Sequence, residues 1–265
     1  MIDALRFEWI RIRTIRSTYW LTALALVLSA AVAGLIAYFG RENPINDQMA
    51  GVILTGGSAF SPLPFTAVFM GIIGVFAFGH EYRHGTILPT LTAVPRRGSL
   101  VVAKAAVVIG WSLVVALVSV GLNWAVARVL SGQSLPLFDA PVGPALGGYL
   151  GFVVLWGLLG LGLGGLLRSL PAAMVLIFVV PLVVEPLLGA LTMIPALESF
   201  RDYVNYLPFT AGNAMSQTMN PNEVGGGGGP QLGDQPTRLV SSLTFTAWVA
   251  LVLGAATALF HKRDA

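Results

Sequence analysis

Apolar runs long enough to cross a bilayer recur six times along this chain, and they restrict its fold more than any other feature. The hydrocarbon core of a membrane is about 30 Å thick, which takes roughly 20 apolar residues of helix. The runs lie at about 19–39, 60–78, 100–126, 146–167, 172–194 and 241–260. Lipid offers no hydrogen bonds to an exposed backbone, so runs of this kind must be helical. Composition points the same way: 10% of residues are charged and 55% hydrophobic, where a soluble domain carries about 25% charged residues. The fold class is therefore an all-α membrane protein, with one six-span domain over 18–265 preceded by a short leader helix over 1–17. The first run exceeds the roughly 7 to 15 apolar residues of a secretory signal, so it reads as an anchor.

The segments between the runs are equally legible. From Met1 to Ser17, Ile2, Leu5, Trp9 and Ile12 fall on one helical stripe with Arg6, Arg11 and Arg13 off it, the pattern of an amphipathic helix lying on the inner membrane surface. Arg16 returns to the stripe and has to snorkel. The fourth run carries Gly147, Gly151, Gly160 and Gly164 at small-xxx-small spacing, which predicts close helix packing inside the bundle. Residues 195–240 are too polar to span. Their middle reads as short helices dipping into the membrane surface, and Gly225 to Gly229 with Pro230 as flexible linker.

Charge sets the orientation. One side collects Arg6, Arg11, Arg13, Arg16, Arg83, Arg96, Arg97, Lys104, Arg168, Lys262 and Arg263, and the other has Arg41, Arg128, Arg201 and Arg238. The positive-inside rule makes the first side cytoplasmic, with both termini inside and 195–240 extracellular. Topology thus accounts for the net charge of +3, and no nucleic-acid partner is expected. The chain has no cysteine, which excludes disulfides and thiolate metal sites.

Between the second and third runs lies a polar, basic hinge, Gly79 to Lys104. Within it His80, Glu81 and His84 match the H-E-x-x-H pattern of zinc hydrolases, two ligands on one helical face with a glutamate as general base. Such a site needs a third ligand. The remaining histidine, His261, is at the far terminus, Gly85 closely follows the motif, and the outer acids lie across the membrane. No metal is expected on that ground. A phosphate-binding G-x-x-x-x-G-K-[ST] run is also missing from the sequence, so ATP hydrolysis is not expected of this chain.

The run Glu81-Tyr82-Arg83-His84-Gly85-Thr86, followed by Pro95-Arg96-Arg97 and Lys104, resembles the first cytoplasmic loop of ABC type-2 permeases, the membrane subunits of one class of ATP-driven exporters. The basic start, six spans and long outer segment before the last span are similar too, as is Tyr206 to Gly212. The resemblance implies a coupling helix that docks on a separate ABC ATP-binding subunit. Glu81, Tyr82, Arg83, His84, Gly85, Thr86, Arg96 and Arg97 would form the contact, with Glu81 and Arg83 as docking charges. Arg96, Arg97 and Lys104 can serve anionic lipid headgroups as well. It implies further that ATP and Mg are bound by the partner and no cofactor by this chain. The resemblance also implies a second permease subunit, identical or related, that would complete the pathway in a bacterial cytoplasmic membrane. The cargo that the resemblance implies is hydrophobic or amphipathic: a drug, antibiotic or lipid.

Two residues inside the spans are candidates for the substrate pathway. Glu185, between Pro181 and Pro186, is an ionisable group within a span, which marks either a functional site or the outer interface. Asn123 in the third run is the second, with packing as its other reading. On residues alone, an intramembrane zinc protease built on His80, Glu81 and His84, and an ATP-independent channel or secondary carrier using Glu185, stay open.

Overall fold

The computed structural model describes residues 2–57, 64–87, 89, 92, 97–218 and 236–262, and among them there is no strand. Six helices are long and apolar enough to cross a membrane. In chain order, α1 spans Ile2–Thr14, α2 Arg16–Phe39, α3 Asp47–Thr55, α4 Phe65–Arg83, α5 Arg97–Ser131 and α6 Val142–Leu167. The fifth span is composite: α7 Leu170–Val179, a π turn Val180–Val184, and α8 Glu185–Leu191. A 3₁₀ turn Pro195–Phe200, α9 Arg201–Val204 and α10 Pro208–Ala214 lead to the last span, α11 Arg238–Lys262.

α4 and α6 form the centre of the bundle. Of their apolar windows 67% and 56% is buried, against 22 to 28% in the other four spans. Glycine makes this pairing possible. A Cβ on Gly160 would stand 2.1 Å from the Gly71 carbonyl oxygen, and one on Gly74 2.0 Å from that of Gly157, so the two backbones touch where any side chain would push them apart. Gly160 and Gly164 thus pack internally, as the spacing predicts, whereas Gly147 faces open space. Above this contact Trp156 is fully buried, with the rings of Phe209 and Phe152 at 4.8 and 5.3 Å.

Three features depart from the expected layout. The third span runs 35 residues, about 52 Å at 1.5 Å per residue, so it extends well beyond the apolar stretch that hydropathy marks. The fifth span widens at Pro181. Proline has no amide hydrogen to continue the ladder, and the Glu185 amide reaches back five residues to the Val180 carbonyl, the bond of a π turn. Finally, a short helix, α3, lies in the connection between the first two spans, where the sequence shows only a polar loop. The Asn46 side chain caps its start by accepting from the Met49 amide at 2.8 Å, and Ala50, Ile53 and Leu54 are buried. At nine residues, α3 is too short to register as a span.

Between Pro195 and Ser216 the segment before the last span forms short helices, and α10 is set into the bundle through Phe209, Ala211 and Gly212. The Gly225 to Gly229 linker lies outside the described residues. α1 packs on α5, with Leu5 and Ile12 against the core. Ile2 and Trp9 of the same stripe are exposed. The face of α1 that the bundle covers runs instead through Ala4, Glu8 and Ile12, positions three to four apart on one side of a helix.

Candidate functional site

Glu8 is buried because it belongs to a closed cluster of charges. Lys104, near the start of α5, places its Nζ 2.8 Å from Glu8 Oε1, 2.5 Å from Glu81 Oε1 and 3.0 Å from the Ala77 carbonyl oxygen. Arg11, one turn after Glu8, pairs with Glu81 and with Glu8 Oε2 at 2.9 Å, and donates to the same Ala77 carbonyl at 2.8 Å. Side-chain exposure is 0% for Lys104, 2% for Glu8 and 4% for Glu81. Two cations and two carboxylates cancel, the condition under which charges tolerate burial. The cluster ties α1, α4 and α5 together at one end of the bundle.

Several expectations change here. Glu81 is directed into the bundle rather than outward, Lys104 is buried rather than available to headgroups, and Arg11 faces the bundle. Glu8 is not among the residues that the loop motif marks. Its signal was an acid within a strongly basic leader, three residues before Arg11.

The helix carrying Glu81 ends one turn later in a bend exposed over Arg83 to Thr86. Gly85 has φ 66°, and its amide and that of Thr86 bond the Tyr82 and Glu81 carbonyls at 3.4 and 2.9 Å, the glycine-terminated stop of an α-helix. Tyr82 is half-buried, with the Arg168 guanidinium 5.2 Å from its ring centre. Helical backbone resumes at Ile87. Arg97 Nη1 donates to the Phe260 and His261 carbonyls at 3.0 and 3.3 Å, so this cation closes the C-terminal end of α11. Arg96 lies outside the described residues.

The histidines do not assemble a zinc site with Glu81. The His80 ring stacks on Phe76 at 4.2 Å, His84 Nδ1 is 2.9 Å from the His80 carbonyl oxygen, and Glu81 is held by Lys104 and Arg11. Among the described residues no group of three or more potential ligands comes together.

At the other end of the bundle Glu185 is buried and caps α10. Its Oε1 accepts from the Phe209 amide at 2.9 Å, and its Oε2 accepts from the Thr210 amide at 2.7 Å and the Thr210 hydroxyl at 2.9 Å. It also lines a cavity of about 310 Å³. Asn123 is fully buried. Its amide donates to the Leu54 carbonyl at 3.0 Å and Ser29 Oγ at 2.9 Å, and Ser29 meets Ser119 at 3.0 Å. Asn123 thus pins the last turn of α3 between α2 and α5.

No curated protein matches this chain. Residues 4–195, which carry the whole charge cluster and the exposed bend, match the family described as ABC-2 family transporter protein, and the chain belongs to that family as a multi-pass membrane permease.

Proposed function

We propose that this permease exports a hydrophobic or amphipathic cargo, driven by ATP that a separate ABC ATP-binding subunit hydrolyses, with Mg bound there and no cofactor in this chain. The observation that carries the reading is the position of the Glu8–Arg11–Glu81–Lys104 cluster. It stands one helical turn behind the exposed bend Arg83 to Thr86, and it joins three helices where a docked motor would push. Arg83 is then the docking charge at the surface, and Glu81 a positioning residue that passes movement of the bend to α1 and α5 as well as to α4. The excess of Lys and Arg at this end supports a cytoplasmic orientation in a bacterial membrane. A second permease subunit, identical or related, completes the pathway across the lipid-facing spans.

The test is affinity purification of the tagged chain from its native membranes, with ATP hydrolysis and the co-purifying chains as readout. The wild type is expected to bring down an ABC ATP-binding subunit, and Arg83→Glu to lose it while still inserting. A wild type that brings down none, or an Arg83→Glu variant that retains it unchanged, contradicts the proposal.

A further inference from the structure

The cavity at Glu185 lies between the outer end of the fifth span and α10. Its polar wall is Glu185, Asn205, Thr210, Asn213 and Gln217, and Pro181, Met193 and Phe209 contribute apolar wall. Among the described residues no lysine or arginine lines it and no cation pairs with Glu185; Arg238 donates to the Gln217 carbonyl at 2.7 Å. Both carboxylate oxygens are oriented by α10, which donates the Phe209 amide, the Thr210 amide and the Thr210 hydroxyl. On the far side of Val204, which lines both, an apolar groove of about 310 Å³ runs along Leu188, Leu191, Leu197, Phe200 and Leu207. Each space is at the small end of the roughly 300 to 1,000 Å³ of ligand pockets. A buried carboxyl group beside an apolar trough complements a molecule with a positive head and a greasy body.

We propose that this pair of spaces binds a lipophilic monovalent cation, an alkylamine or quaternary ammonium, with its charge at Glu185 and its apolar part in the groove past Val204. That the bound molecule is cargo rests on the permease reading. That it binds does not.

Equilibrium dialysis of the purified protein in phosphatidylcholine nanodiscs tests this, with octyltrimethylammonium and octanesulfonate as probes of the same tail and opposite charge. Octyltrimethylammonium is expected to bind saturably, and Glu185→Gln, which keeps an acceptor for α10, to weaken it at least tenfold. Octanesulfonate is expected to partition without saturation in both proteins. Ala190→Trp narrows the cavity without changing charge and is expected to weaken the ammonium probe similarly. Saturable sulfonate binding, or ammonium binding unchanged in either variant, overturns the proposal, and if Glu185→Gln does not fold, unchanged binding to Ala190→Trp does so alone. A wild type that brings down no ATP-binding subunit would remove the ATP-driven export reading while leaving the dialysis result standing, so the two failures are distinguishable.

Discussion

Lys104 and Glu81 meet at 2.5 Å across the ends of the third and second spans, and neither side chain is exposed beyond 4%. Such a pair stabilises little when intact, because both ions give up their hydration. With Lys104 gone, two carboxylates, Glu8 and Glu81, share the single cation Arg11 in a low-dielectric interior. Lys104→Met is therefore expected to lower the unfolding free energy in detergent by about 3 to 5 kcal/mol. Adding Glu81→Gln to it restores the charge balance of the cluster and should recover part of that loss, through a coupling of about 1 to 3 kcal/mol. Additive losses would show that the two residues do not act as a pair.

The glycines of the fourth span divide into two kinds. Gly160→Ala would set a Cβ 2.1 Å from the Gly71 carbonyl oxygen, a backbone atom that cannot turn aside, and is expected to cost about 1 to 3 kcal/mol. Gly147→Ala meets nothing within 4 Å and is expected to be neutral, or stabilising by up to about 1 kcal/mol through helix propensity. Thermal unfolding of the two variants side by side checks the order.

Asn123→Leu keeps the volume and removes the donors to the Leu54 carbonyl and Ser29. Interhelical hydrogen bonds in membranes contribute about 0.6 to 2 kcal/mol, so the bundle is expected to survive with a loss of that order. The effect should be local: faster amide hydrogen exchange in α3, with α4 and α6 unchanged. Uniformly faster exchange would mean that Asn123 supports the whole fold.

Glu185→Ala strips the acceptors from the Phe209 and Thr210 amides, whereas Glu185→Gln keeps one. Loss of a helix cap costs about 0.5 to 2 kcal/mol. The alanine variant is expected to exchange those two amides faster than the glutamine variant, and equal rates in both would contradict the capping role.

Spans are legible from sequence because lipid demands a long apolar run whatever its neighbours do. The glycine contact followed for the same reason, since close packing in lipid calls for small residues at fixed spacing. α3 escaped notice because nine residues carry no span signal, and what holds it is a carbonyl at Leu54 meeting Asn123 from 69 positions away. Glu81 was read as a surface charge because it sits in a polar hinge. Its inward turn depends on Glu8, Arg11 and Lys104, whose convergence only the fold brings about. Glu185 stood out as a charge in a span, yet its partners Phe209 and Thr210 lie on a helix that the sequence places only as part of an outer segment.

The chain has no cysteine, so Arg83→Cys would carry a single reactive thiol on the exposed bend, and its labelling by a membrane-impermeant maleimide tests the central claim most directly. The thiol is expected to resist the reagent in intact cells, to react in inside-out vesicles, and to be shielded there when the ATP-binding subunit is restored. Labelling from outside intact cells, or reaction in vesicles that the subunit leaves unchanged, would contradict a cytoplasmic bend held by a separate motor.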